Sequence, residues 1–113
     1  MAMVRKVSVL LFVAALVFAF AGCSEAANVN LRIINDTGYT VYKLYVSPAS
    51  SSGWGSDRLG SSVLMNGEDF TVRVQDGTRY DVRLEDEDGD TYTKQVRPNG
   101  NWRVTFTISD LDS

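Results

Sequence analysis

From Asn28 onward, apolar side chains recur at every second position, and no stretch shows the 3.6-residue spacing of a helix. A period of two marks strands with one buried face. Val29, Leu31 and Ile33 alternate with Asn30 and Arg32. Tyr42, Leu44 and Val46 share one face of the next segment, with Val41, Lys43 and Tyr45 on the other. The same alternation runs through Phe70, Val72 and Val74, through Tyr80, Val82 and Leu84, and through Trp102, Val104, Phe106 and Ile108. Each of these sets is predicted to face a common core. Tyr92 and Val96 outline a weaker strand, because Lys94 falls on its inward face, and Leu59 to Leu64 is a candidate for a short seventh.

Turn signals punctuate the runs: Asp36-Thr37-Gly38, Asn66-Gly67, Asp76-Gly77, Asp88-Gly89 and Pro98-Asn99-Gly100. Asn-Gly and Asp-Gly supply the positive φ of tight hairpins. Six or seven short strands with regular turns predict an all-β domain, an antiparallel β-sandwich of immunoglobulin-like type. A small barrel is the alternative.

The segment before the strands has a different character. Arg5 and Lys6 precede an apolar run from Val7 to Phe20, followed at once by Ala21-Gly22-Cys23. A charged start, an apolar stretch and a small-residue site make up a secretory signal peptide. The run is about 14 residues before small residues begin, short of the roughly 20 that a membrane span needs. Phe20-Ala21-Gly22-Cys23 resembles the lipobox of bacterial lipoproteins, with Phe20 where Leu is usual. That resemblance implies cleavage before Cys23 and acylation of its thiol. Ordinary cleavage after Ala21 or Ala26 is the competing expectation, and it would leave Cys23 or no cysteine on a freely secreted chain. Ser24 is not the Asp associated with inner-membrane retention, so the expected address is the outer membrane or cell surface, with a soluble periplasmic or secreted form as the alternative. The expected organisation is a signal peptide over 1–22, a lipidated cysteine and tether over 23–28, a β-sandwich over 29–110 and a tail over 111–113.

Two acyl chains on Cys23 would supply the stable membrane anchoring that one chain cannot. Cleavage removes two basic residues and leaves nine basic against fourteen acidic, a net charge of −5. An acidic domain of this kind is a poor partner for nucleic acid, and its overall charge does not favour anionic lipid. No disulfide can form in the mature domain, whose core must hold it together unaided.

A second resemblance lies in the domain itself. Asn35-Asp36-Thr37-Gly38-Tyr39, Leu44-Tyr45-Val46-Ser47-Pro48, Trp54-Gly55-Ser56-Asp57-Arg58-Leu59-Gly60, Tyr80-Asp81-Val82-Arg83 and Asp86-Glu87-Asp88-Gly89-Asp90 resemble a group of small exported bacterial β-domains of unknown function. It implies the fold and export, and no activity. Some of that group carry a Cys pair near the domain's end, which this chain lacks.

Four features could carry chemistry. Asp86, Asp88 and Asp90 form an oxygen-rich segment of the type that binds calcium, although Gly89 comes too early for an EF-hand. Otherwise they form a solvated hairpin tip that discourages edge pairing. Trp54 sits in the Ser/Gly-rich connection from Ser47 to Ser62, where a ring could stack on a sugar or anchor a protein. Alternatively it folds back to plug the open end of the sandwich, with Asp57 bonding loop amides. Tyr39, Val41 and Tyr45, with Tyr92 or Thr93, would make an aromatic row on an outward face, so Tyr39 and Tyr45 join Trp54 and Asp57 as candidate ligand-binding residues. Asn35-Asp36-Thr37 matches a glycosylation sequon, but an Asx turn is the expected role.

Catalysis is not expected. The chain has no histidine and one cysteine, which removes Ser-His and Cys-His nucleophile systems and the usual zinc sets. Apart from the calcium option no cofactor is expected. The expected role is a non-catalytic interaction module with a protein or glycan partner in the envelope; a secreted carbohydrate-binding module and a calcium-dependent adhesion domain are the alternatives.

Overall fold

The computed structural model describes residues 27–113. The expected signal peptide, Cys23 and the expected tether through Ala26 lie outside the described residues. The alternating segments form six strands: β1 (Asn28–Asp36), β2 (Val41–Pro48), β3 (Asp69–Gln75), β4 (Tyr80–Asp86), β5 (Thr91–Val96) and β6 (Trp102–Thr107), followed by a single 3-10 turn over Ile108–Asp110. They assemble into two three-stranded sheets, β3-β1-β6 and β2-β4-β5. All five glycines in the predicted turns adopt positive φ.

The two sheets share one core. Leu31 and Ile33 from β1, Leu44 from β2, Val82 and Leu84 from β4, Tyr92 from β5 and Phe106 from β6 are all fully shielded from solvent. Leu59 and Leu64, from the long β2–β3 connection, complete the cluster. Their segment is not a seventh strand: its only ladder contact is the single bridge Leu64–Val41. These side chains serve the core, and their backbone is mostly turn.

Three predicted details are corrected. The sheets are not wholly antiparallel, since β6 runs parallel to β1 from the pair Leu31–Trp102 to Asp36–Thr107. β5 ends at the same end of the molecule where β1 begins, and the short 97–101 turn carries the chain across to the other sheet there. β6 must then run away from that end, as β1 does. Second, the ladder between β2 and β4 shifts between Val41 and Lys43, leaving Tyr42 as an extra residue. Such a bulge reverses the alternation before it. Val41 is therefore fully buried and Tyr42 is 51% exposed, the opposite of the period-two expectation. Third, Trp102 and Ile108 lie at and beyond the ends of β6 and are exposed, while Val104 and Phe106 face the core as expected. The Asp110 carboxylate accepts the Thr107 amide proton at 2.9 Å and turns the chain out of the strand at that point.

Lys94 on the inward side of β5 does not enter the core. Its stem passes Phe106, with the ammonium 5.8 Å from the ring centre. The ammonium donates to the Thr105 carbonyl at 3.0 Å and pairs with Asp110 at 3.3 Å, linking the adjacent margins of the two sheets. A long cationic side chain of this kind covers apolar surface with its stem and keeps its charge at the rim.

The bulge yields a direct test. Val41→Ala should cost about 2 kcal/mol for the lost methyl groups and residual cavity, and Tyr42→Ala about 0.5 kcal/mol or less, as for an exposed site. Urea unfolding of the two variants measures both; a larger loss at Tyr42 would contradict the register.

Candidate functional site

The strand directions give the sandwich two distinct ends. One end holds the start of β1 and the turns 76–79 and 97–101. The other holds the turns 37–40 and 65–68, the 87–90 hairpin and the C-terminal turn. The expected tether would enter β1 at Asn28, and the two ends are labelled on that expectation as the tether end and the distal end.

At the distal end Asn35 organises two loops. Its buried side chain donates to the Tyr39 carbonyl at 2.8 Å and to the Leu64 carbonyl at 2.9 Å. Its side-chain oxygen accepts the Thr37 amide at 3.1 Å and the Thr37 hydroxyl at 2.7 Å. The first of these closes an Asx turn, the role expected from the sequence. Gly38 then donates to the Asn66 side chain at 2.8 Å, which places turn 37–40 against turn 65–68.

Asp86, Asp88 and Asp90 do converge, with one oxygen from each within 4.8 Å of the others. Asp86, however, is 3% exposed. One of its carboxylate oxygens accepts the amides of Asp88 at 2.9 Å and Asp90 at 3.0 Å, and the other accepts the Tyr92 hydroxyl at 2.8 Å. The carboxylate is thus the internal acceptor that shapes its own hairpin, with Gly89 supplying the positive φ. A cation at this point would compete with three donors already in place. Tyr92 is held strongly in its neutral form, first because it is buried and then because it donates to the Asp86 carboxylate.

The β2–β3 loop lies along the free edge of β2. The Asp57 carboxylate accepts the Leu44 amide at 2.9 Å and the Leu59 amide at 3.0 Å. The Arg58 amide donates to the Leu44 carbonyl at 2.7 Å, and its guanidinium donates to the Val46 carbonyl at 3.1 Å. Unpaired strand edges invite association with other chains, and here the loop occupies the edge instead. Leu59 and Leu64, rather than Trp54, are the loop's contribution to the core.

Trp54 is half-buried over the outer face of the second sheet. The Arg83 guanidinium carbon lies 4.7 Å from its ring centre, and Tyr45 is tilted against it with centroids 6.3 Å apart. Tyr45, Arg83 and Thr93 form one cross-strand row, which ends at Asp112 where Thr93 donates at 2.7 Å. Trp54 and Tyr45 are therefore together, and Asp57 is built into the β2 edge. The predicted aromatic row is corrected: Val41 and Tyr92 are fully buried, and Tyr39 precedes β2 at the distal end.

A feature the alternation pattern did not reveal is the sorting of exposed groups between the ends. Six of the seven exposed large hydrophobics are distal: Tyr39, Tyr42, Val63, Met65, Ile108 and Leu111. Tyr42, Val63 and Met65 flank the Val41–Leu64 bridge, so they belong to one surface. At the same end lie Asp36, Glu68, Asp69 and the Glu85–Asp90 hairpin, with Asp110 and Asp112 at the β5–β6 margin; Asp69, Asp110 and Asp112 pair with Arg32, Lys94 and Arg83, while Lys43 has no ion-pair partner among the described residues.

No protein-family model, no curated protein and no solved structure matches the chain.

Two predictions separate the hairpin's structural chemistry from metal binding. Asp86→Ala strips the acceptor from three donors and should cost about 3 kcal/mol, against about 0.5 kcal/mol for Asp88→Ala. Millimolar calcium should leave the wild-type melting temperature unchanged, since a ligand held only by the folded state would raise it. A calcium-dependent rise abolished equally by both variants would reverse the assignment. The second concerns alkali. Tyr92 keeps its proton in the folded state and releases it near pH 10 when unfolded, so its stabilisation is complete below about pH 10 and is lost as pH rises above that. Stability should fall by up to about 1.4 kcal/mol per pH unit from this residue. Denaturant unfolding from about pH 8 to about pH 12, a range that spans the ordinary tyrosine titration, should show a shallower decline in Tyr92→Phe; identical slopes would contradict it.

Proposed function

We propose that the chain is the precursor of a lipoprotein whose β-sandwich is a non-catalytic interaction module, anchored outside the cytoplasm through Cys23 and presenting its distal end to a partner in the envelope. The observation that carries this is the relation between tether and surface. β1 begins at Asn28, five residues after the lipobox cysteine, and the exposed apolar side chains gather at the opposite end. Five residues reach at most about 17 Å, so the domain stands close to the membrane with its acidic, apolar-centred end outward. The partner it fits is a protein with apolar side chains inside a basic rim, by charge complementarity.

The immunoglobulin-like arrangement belongs to the same proposal. In that fold strands B and E pair in one sheet while C, F and G are neighbours in the other. β1 and β3 stand as B and E, and β2, β4 and β5 as C, F and G. Tyr80 at the start of β4 accepts the Gln75 amide on its hydroxyl at 2.9 Å. This resembles the tyrosine corner between strands E and F. β6 takes the place beside B that strand A fills, but it comes last in the chain and runs parallel to β1.

The test is the intact mass of the mature protein from membranes, wild type beside Cys23→Ser. The expected result is a chain beginning at Cys23 with acyl chains attached, missing in the variant. An unmodified chain in the soluble fraction would overturn the tethered form and leave a secreted module.

A further inference from the structure

We infer that the tether end of the sandwich is a docking face for anionic lipid headgroups, built from Arg73, Arg79, Arg97 and Arg103. Overall charge argues the other way, but the fold separates it. All four arginines are exposed, and among the described residues none lies within ion-pair distance of a carboxylate. They come from four parts of the chain: β3, the 76–79 turn, the 97–101 turn and β6. Arg73 stands opposite Asn30 near the start of β1, and Arg103, the second residue of β6, stands farther along, opposite Arg32 at the middle of β1. Arg79 and Arg97 immediately precede β4 and follow β5 at the same end.

The acids near them are engaged internally. Asp76 accepts the Gly100 amide at 2.8 Å, joining the two turns of this end, and Asp81 accepts the Gln95 side chain at 2.9 Å. Arg73 also donates to the Asn30 side chain at 3.1 Å, which leaves its other donors outward. Asn30, Arg32, Thr71, Asn101, Trp102 and Arg103 line a shallow groove beside them. Guanidinium groups bind phosphate through paired N–H donors, and amide and hydroxyl neighbours add further hydrogen bonds to headgroup oxygens.

The occupant follows from position. This inference rests on the tether proposed above: with Cys23 in the bilayer, these arginines are the charges held nearest the surface. Juxtamembrane cations are drawn to anionic headgroups over about a Debye length. A weak contact suffices, because tethering makes it effectively intramolecular. The distal acids are repelled by the same surface, so attraction at one end and repulsion at the other both favour an upright domain.

The mature lipid-bearing protein, purified in detergent and reconstituted into phosphatidylcholine vesicles with or without phosphatidylglycerol, provides the test. Trp102 is exposed at this end. In a Trp54→Phe background its quenching by brominated lipids reports approach of the arginine face. Quenching should rise severalfold on adding phosphatidylglycerol and return to the neutral-vesicle value at about 1 M salt, where the Debye length is about 3 Å. It should not rise in the triple variant Arg79→Gln, Arg97→Gln, Arg103→Gln. Flotation with neutral vesicles reports the tether independently of these arginines, so the two proposals can fail separately. Equal quenching with both lipids, or a rise retained in the triple variant, would overturn the inference. Arginine-dependent binding to soluble dextran sulfate with no rise on vesicles would also overturn it, and would assign the face to a polyanionic polymer.

Discussion

The position of β1 between β3 and β6 governs the molecule. It is the strand paired along both edges in the first sheet, antiparallel to one neighbour and parallel to the other. Its inward side chains Leu31 and Ile33 lie in the centre of the core, so it cannot slip by one residue without turning them to solvent. Fixing β1 fixes both ends of the domain. Its first residue marks the end at which the proposed tether would enter, and its penultimate residue, Asn35, ties the distal loops together through four hydrogen bonds.

A domain of this size with no disulfide has little reserve of buried surface. Its sheets also have free margins, which are hazards outside the cell as well as inside it. The long loop answers both needs at β2: Leu59 and Leu64 enlarge the core, while Asp57 and Arg58 satisfy the edge backbone. Lys94 and the C-terminal turn do similar work at β5 and β6, where Leu111 bridges to Tyr92 and the Asp112 amide reaches the Thr91 carbonyl. The buried Tyr92–Asp86 pair then joins this margin to the acidic hairpin. Loops that look free in the sequence are largely parts of the fold.

The strands were legible because a half-buried strand must alternate, and the turns because only glycine takes positive φ at little cost. Val41 and Tyr42 were misassigned since a single inserted residue reverses the parity and leaves no compositional mark. Trp102 continued the alternation of β6 but lies at its end, past the cover of the other sheet. Asp86 looked like one of three equivalent acids; its separate role depends on Tyr92 six residues away, across the hairpin. The sorting of charge was the least legible feature. Arg73, Arg79, Arg97 and Arg103 are dispersed along the chain, and only the strand directions bring them to one end. The parallel course of β6 places Arg103 among them.

The proposed tethered sandwich, with its arginines inward and its acidic hairpin outward, has an orientation that can be measured as height. With the Cys23 thiol acylated, a fluorophore can be attached to a cysteine introduced at Asp88 in the distal hairpin or at Asn99 in the tether-end turn. Energy transfer from each to acceptor lipids gives its distance from the bilayer. Nine residues of β1 span about 30 Å at roughly 3.3 Å each, so the Asp88→Cys label should stand higher than the Asn99→Cys label by about 20–30 Å. Equal heights, or the hairpin label lying nearer the membrane, would contradict the orientation on which the account rests.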